Sequence, residues 1–300
     1  MANISRVLIL GCTGLVGHGI AVYLIKNKFK VYGTLNNKRV KSINKNFKIF
    51  ENINLLNKKS FNKIDRIIKS HNIQAIIHSA ALIPNKVNYK KEKFYEESIQ
   101  INSLSFLKLY KISNDNKVKF LINISTPNVE HLKKEDFENH HNFYIFTKYL
   151  AELFLSNFPK SKTKTISLRI KSPYGYILNT KAVIPNFISK SKSNKRLNLS
   201  GNTNKKQTFT FVEDIGSACE KVFKNNLSGI QNCMGTEALT IKDLGNIIQR
   251  IFSKKKISIT NNKVPVTKYF YKGNINNSKT KIIDGLLKIS KVKKNFQIFK

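Results

Sequence analysis

The chain has 300 residues, with 54 Lys and Arg against 17 Asp and Glu, a formal net charge of +37, and 41% hydrophobic residues. This composition excludes a disordered chain, and three cysteines without close pairing, Cys12, Cys219 and Cys233, exclude a disulfide scaffold or a cysteine zinc site. No run approaches the roughly 18 uninterrupted apolar residues of a membrane span, and the lysines are scattered over every segment, which points to a solvated surface rather than a nucleic-acid or membrane partner.

Residues 7–10 read as a short buried strand, apolar and β-branched. Residues 15–26 read as a helix with Leu15, Val16, Ile20, Leu24 and Ile25 on a broad apolar face. Between them lies Gly11-Cys12-Thr13-Gly14-Leu15-Val16-Gly17. A strand, a tight glycine turn and a helix N-terminus together suit a pyrophosphate, because free backbone N–H groups and the helix dipole face the anion. Gly11 allows the turn, Gly14 lets the backbone approach the phosphates, and Gly17 lets the helix pack on the strand. A glycine-rich turn without a ligand is the alternative. His18 is expected on the helix surface and Cys12 as a small residue filling the loop.

A second strand is expected over 30–35. It runs into "TLNNKR", which has no carboxylate to hold the ribose 2′-OH of NAD or to repel a 2′-phosphate. Asn36, Lys38 and Arg39 therefore suit NADP somewhat better than NAD. A helix follows over 60–70, a strand over 74–78, and a helix over 98–112 with Ile101, Leu104, Leu107 and Leu109 partly buried. Residues 118–125 form the next strand, 143–158 a long apolar helix, and 165–170 another strand. This alternation implies a parallel sheet covered by helices on both faces. Ligands of such sheets bind at the carboxyl ends of the strands, here after Leu10, His78, Ile124 and Ile170.

Tyr144 and Lys148 stand four apart on the 143–158 helix, so they share a face with Cβ atoms roughly 5–6 Å apart. An adjacent ammonium favours the phenolate and lowers the tyrosine's pKa from about 10. The pair makes a general acid/base for a carbinol or carbonyl oxygen, and Ser125 or Thr126 at the preceding strand end offers a hydroxyl to the same oxygen. The alternative is an aromatic core built from Tyr144, Phe146, Tyr149 and Phe154. The His140-His141 doublet beside Glu135, Asp136 and Glu138 is not read as a metal site.

Past residue 171 the alternation loosens. "KSPYGY" and residues 189–207 read as irregular structure, 208–223 as a strand and helix, and 240–252 as a helix started by Thr240. The last 40 residues, rich in Lys and Asn, have no clear pattern.

These pieces, over residues 6–245, resemble the extended short-chain dehydrogenase/reductase family, in particular its NAD(P)-dependent nucleotide-sugar epimerase/dehydratase branch. "GCTGLVG" resembles the cofactor loop, which places Gly11, Thr13, Gly14, Leu15, Val16 and Gly17 on the cofactor. "IIHSAAL" resembles the strand-four segment and places Ala80, Ala81 and Leu82 there too. "NISTPNVEH" resembles the Ser/Thr segment, with Thr126 in the catalytic register. "FYIFTKYLAE" resembles the Tyr-Lys helix, in which Lys148 also binds the nicotinamide ribose. "LRIKSPYG" and "QTFTFVEDI" resemble the segments that follow strand six and return to the nucleotide domain, and Asn102 matches a helix asparagine.

Two departures carry meaning. Dehydratases of this kind have Asp-Glu directly after the catalytic Thr, and here Pro127 and Asn128 stand there, so dehydration is excluded. Ser172 and Gln207 replace an Asn and an Arg that meet the substrate pyrophosphate, with Lys205 and Lys206 as substitutes. The resemblance implies an α/β fold, a Rossmann-type doubly wound parallel sheet (1–170 plus about 208–235) with a smaller discontinuous C-terminal substrate-binding domain (about 171–207 and 236–300). It implies a homodimer, through an interface that includes the Tyr144 helix, acting by hydride transfer as an epimerase or reductase of a nucleotide-linked sugar, with epimerase slightly preferred; the three unpaired cysteines and the lack of a membrane span or signal-like run lead to a cytoplasmic location as the expectation. A non-catalytic nucleotide- or RNA-binding protein and a reductase of non-nucleotide ketones are the alternatives.

Overall fold

The computed structural model describes residues 4–36, 44–84, 92–132, 140–157, 161–178, 182–199, 206–253, 259–261 and 279–291. The chain begins β1 (Arg6–Leu10), α1 (Leu15–Lys26), β2 (Lys30–Thr34), β3 (Phe47–Phe50), α2 (Lys58–His71) and β4 (Ala75–His78). Then come α3 (Glu92–Ile99), a π-turn (Gln100–Leu104), α4 (Ser105–Asp115), β5 (Phe120–Ser125), a 3-10 turn (Pro127–His131), α5 (His140–Asn157) and β6 (Lys164–Ile170). The remainder is β7 (Pro173–Tyr174), α6 (Val183–Lys192), β8 (Leu197–Leu199), β9 (Lys206–Thr208), β10 (Thr210–Phe211), α7 (Val212–Lys224), β11 (Gly229–Cys233), β12 (Ala238–Thr240), α8 (Ile241–Phe252), β13 (Ile259–Asn261) and α9 (Ile282–Ser290).

Seven parallel strands form the main sheet in the order β11-β6-β5-β4-β1-β2-β3. The strand order reverses beside β1, as in a Rossmann-type doubly wound sheet. Alternation along the strands divides the core. Val7 and Ile9 point to one face with Ile20 and Leu24 of α1 and Ile215 and Val222 of α7. Leu8 and Leu10 point to the other, with Ile64 and Ile68 of α2 and Phe106 and Leu109 of α4. Leu10, His78 and Asn123 lie side by side in register, so β1, β4 and β5 deliver their carboxyl ends to one edge. A third apolar cluster joins Tyr174, Phe187 and Ile188 to Phe211, Ile248 and Leu286 beyond that edge.

Helices α1 and α7 lie unusually close. A Cβ on Gly19 would fall 2.1 Å from Val212 Cβ, and one on Gly216 would fall 2.5 Å from Tyr23 Cβ. Val212 is fully buried, so it has no room to yield. Gly19→Ala is expected to destabilise the fold by about 1–3 kcal/mol by overpacking, read as a lower urea midpoint. An unchanged midpoint would contradict the close packing.

The expected strands and helices up to residue 170 are present, but the sheet has two members that the sequence does not announce. β3 and β11 are the edge strands; each pairs with one neighbour, and their half-exposed side chains break the apolar run. α6 begins in residues 177–188, for which the sequence gives no assignment, and runs into the stretch expected to be irregular; its Ile184, Phe187, Ile188 and Ser191 are buried at helical spacing. Pro185 is tolerated there because it lies in the first turn, where backbone N–H groups have no intrahelical partner. Residues 98–112 belong to a helical run that starts earlier, at Glu92, and passes through the π-turn. Thr240 caps α8 as expected, accepting from the Asp243 N–H at 3.0 Å.

Candidate active site

The glycine loop leaves β1 with Gly11 at φ +78°, and a Cβ there would sit 2.8 Å from Ala80 Cα. Only glycine fits both the backbone and the approach. Gly14 N–H donates to Gly11 O at 3.0 Å, and a Cβ on Gly17 would lie 2.4 Å from that same carbonyl. The three glycines thus draw the start of α1 onto the end of β1. No side chain caps the first turn of α1 and no acidic residue lies in it. That bare, positively polarised turn fits an anionic pyrophosphate.

Cys12 pins the loop from behind. Its N–H reaches Thr34 O at 3.3 Å and its Sγ the same oxygen at 3.4 Å. Burial pushes its thiol up to about 12, so it packs rather than reacts. His18, expected at the surface, is instead 4% exposed, lies edge-on to Tyr176 at 6.2 Å, and is pushed down to about 4 by burial. The reason is α7, which covers the α1 face that a two-layer pattern would leave in water.

The segment after β4 forms the next wall. Ser79 Oγ donates to Leu10 O at 2.6 Å, and Ala80 lies against Gly11. Asn102, buried in the π-turn, accepts from Leu82 N at 2.8 Å and donates to Leu82 O at 3.0 Å and Thr147 Oγ1 at 3.0 Å. A continuous set of contacts therefore runs from the glycine loop through Ala80 and Leu82 to α5. Below it, His78 holds Asn123 Oδ1 at 3.2 Å and Ser105 Oγ at 2.9 Å. Burial, reinforced by the Lys148 charge, pushes this imidazole down to about 3, so it is neutral.

Thr126 follows β5, half-buried, and its Oγ1 accepts from Asn128 N at 3.3 Å. Ser125 points the other way, donating to Glu152 Oε1 at 2.7 Å. Of the two candidate hydroxyls, Thr126 is therefore the one outside the buried network. α5 packs on both β5 and the 3-10 turn. Lys148 is 2% exposed; its Nζ donates to Ile124 O at 3.0 Å and lies 6.0 Å from the centre of the Tyr144 ring. Burial pushes Lys148 down to about 8, against the pull of Glu152.

The tyrosine departs from expectation. Burial pushes Tyr144 up to about 12, where an adjacent ammonium was expected to lower it. The amine bonds to Ile124 O rather than to the phenol, so desolvation of the phenolate wins. Tyr144 is half-buried and its ring stacks on His141 at 6.4 Å, whereas Phe143 packs on Tyr95 at 4.8 Å. Tyr144 belongs to none of the three apolar clusters.

Ser172 turns the chain after β6 at φ 42°, and its carbonyl accepts from Thr210 N at 3.3 Å. Gln207 is half-buried in β9 opposite Leu239, and Lys206 is exposed at the start of that strand. Asn36 is exposed just after β2. Lys38, Arg39 and Lys205 lie outside the described residues, as do Glu135, Asp136 and Glu138. Two neighbours were not foreseen. Lys171 Nζ donates to Asn128 Oδ1 at 2.9 Å, and Glu152 continues the Tyr144–Lys148 spacing by one more turn. The second was readable as an i, i+4, i+8 stripe.

A family model described as the NAD dependent epimerase/dehydratase family matches residues 7–233. A dTDP-4-dehydro-6-deoxyglucose reductase of Escherichia coli is 26% identical over 204 residues, 64% of this chain and 63% of that reductase, so the match spans less than two thirds of its length. Among solved structures, a UDP-N-acetylglucosamine 4-epimerase from Methanobrevibacter ruminantium M1, in complex with UDP-N-acetylmuramic acid, is similar at TM-score 0.77 and 20% identity, covering 97% of this chain and 98% of that one. A Thermus thermophilus UDP-glucose 4-epimerase complex with NAD is similar at TM-score 0.70 and 17% identity, covering 97% and 99%. At these identities the structural likeness speaks for the fold.

Proposed function

The chain belongs to the NAD dependent epimerase/dehydratase family, and on that premise we propose that it is a nicotinamide-dependent epimerase or reductase of a nucleotide-linked sugar. The observation that carries the reading is half-buried Tyr144 one helical turn from the buried amine of Lys148, whose Nζ lies 6.0 Å from the centre of the Tyr144 ring, on a helix packed against the Thr126 turn. The cofactor residues are Gly11, Thr13, Gly14, Leu15, Val16 and Gly17 in the loop, Ala80, Ala81 and Leu82 beside it, and Lys148 at the ribose. When bound, the nicotinamide supplies or accepts a hydride at a sugar carbon.

Tyr144 exchanges the proton on the sugar oxygen, and Thr126 holds that oxygen in place. A phenol raised to about 12 is protonated at neutral pH, so it starts as a proton donor. Pro127 and Asn128 offer no carboxylate for eliminating water. The substrate's diphosphate falls to Ser172, Lys205, Lys206 and Gln207, in a part built from 171–207 and 236–300. A nucleotide sugar is favoured by the named substrates of the similar proteins. The exposed Leu107, Tyr149 and Leu153 on α4 and α5 suit a homodimer through these helices.

The reaction is tested by mixing the protein, NADPH and a 4-keto sugar nucleotide. Stoichiometric loss of the nicotinamide absorbance supports a reductase; in a second mixture, of protein, oxidised cofactor and a nucleotide sugar with a free 4-carbinol, inversion at that carbon without net change of cofactor supports an epimerase. No product by either route would sink the enzyme reading. Asn36, with Lys38 and Arg39, leads us to favour NADP over NAD, since no carboxylate follows β2 to repel a 2′-phosphate. Tighter binding of NADH than of NADPH would overturn that preference.

A further inference from the structure

We propose that Glu152 is a positioning residue of this site: held by Ser125, Ser167 and Arg169, it sets the place and the charge of Lys148 Nζ. The inference rests on the assignment of Lys148 to the cofactor and the phenol. Glu152 is 3% exposed and lies one turn beyond Lys148 on α5. Its Oε1 accepts from Ser125 Oγ at 2.7 Å, Ser167 Oγ at 2.9 Å and Arg169 Nε at 3.0 Å. Its Oε2 accepts from Arg169 Nη2 at 2.6 Å. The other arm of the guanidinium, Nη1, reaches Glu130 Oε1 at 2.5 Å. Glu130 stands in the 3-10 turn that follows Thr126.

One carboxylate therefore ties the helix of Tyr144 and Lys148 to the ends of β5 and β6. Arg169 extends that tie to the turn beside Thr126. The clamp holds α5, which carries Tyr144 and Lys148, against β6 and against the end of β5, just before Thr126. Its charge matters as well. The charges alternate from Lys148 to Glu152, Arg169 and Glu130. The groups facing Lys148 are His78 from β4, held neutral, Tyr144 and Glu152 from α5, and beyond Glu152 the Arg169 of β6 and the Glu130 of the turn. Glu152 opposes the burial that drives Lys148 to lose its proton. Without it, burial and the Arg169 charge would both act against the ammonium.

The test is NADPH binding to the full chain, followed by nicotinamide fluorescence across neutral and mildly alkaline pH. An ammonium makes charge-assisted hydrogen bonds, roughly twice as strong as neutral ones, so affinity is expected to fall as Lys148 deprotonates. In the wild type that fall is expected as pH rises through about 8. In Glu152→Gln it is expected about one pH unit lower or further, while in mildly acidic buffer affinity stays within about threefold of wild type. A loss of equal size at every pH, which a merely structural role would give, overturns the inference. So does an unshifted profile.

A second variant, Glu152→Gln with Arg169→Gln, removes the guanidinium left without its carboxylate and so guards against misfolding. It is expected to keep a downward shift, because the buried amine still lacks its counter-charge. A wild-type profile in this variant overturns the inference. A wild type that binds NADPH with no pH dependence contradicts the inference alone, whereas a wild type that binds neither NADPH nor NADH overturns the cofactor assignment itself and the inference with it.

Discussion

Tyr144→Phe is expected to lower turnover of a keto-sugar nucleotide by about 10²–10⁴-fold, the usual worth of a positioned proton donor. Nicotinamide binding should be nearly unchanged, because the ring keeps its contact with His141 and Lys148 keeps its bond to Ile124 O. The loss should fall on kcat rather than KM, since the proton moves in the transition state. The phenol is buried enough to be pushed up to about 12, so no other ionisation of this side chain competes at neutral pH. Turnover within about threefold of wild type would remove Tyr144 from the chemistry.

Arg169→Met is expected to destabilise the protein by about 3–5 kcal/mol, as when one partner of a buried ion pair is removed. Arg169 is 7% exposed and Glu152 3%, so the carboxylate would be left with only the Ser125 and Ser167 hydroxyls. Glu130 should add little to this loss. Its side chain is 46% exposed, and water can replace the guanidinium there. Urea unfolding reads the change as a large drop in midpoint with a similar slope. A loss below about 1 kcal/mol would mean that the network neither clamps α5 nor depends on its charges.

The nucleotide half of the fold was legible because its central strands are buried on both sides. Val7, Leu8, Ile9 and Leu10, like Ile76 and Ile77, form apolar runs that end at turn residues, and the glycine spacing named the first turn. The edge strands β3 and β11 escaped because an edge has one partner and a half-wet face, so polar Gln231 and Asn232 interrupt the pattern. α6 escaped because its buried stripe is set among Ser and Lys on its exposed side. At the site, residue spacing named Tyr144, Lys148 and the Ser125–Thr126 pair. It could not choose between the two hydroxyls, because that choice depends on Glu152, which is brought to Ser125 only by packing of α5 on β5. The direction of the tyrosine shift was missed for a related reason. Four-residue spacing places an amine beside a phenol, but it does not reveal that Ile124 O will hold the amine or how much water the fold removes.

The most direct test follows an isotope through a single turnover with a 4-keto sugar nucleotide and NADPH deuterated at the transferable nicotinamide position. The account predicts deuterium on the reduced sugar carbon of the wild-type product, and almost none formed by Tyr144→Phe in the same time. Product that carries solvent hydrogen at that carbon, or label that stays on the nicotinamide while product accumulates, would contradict it.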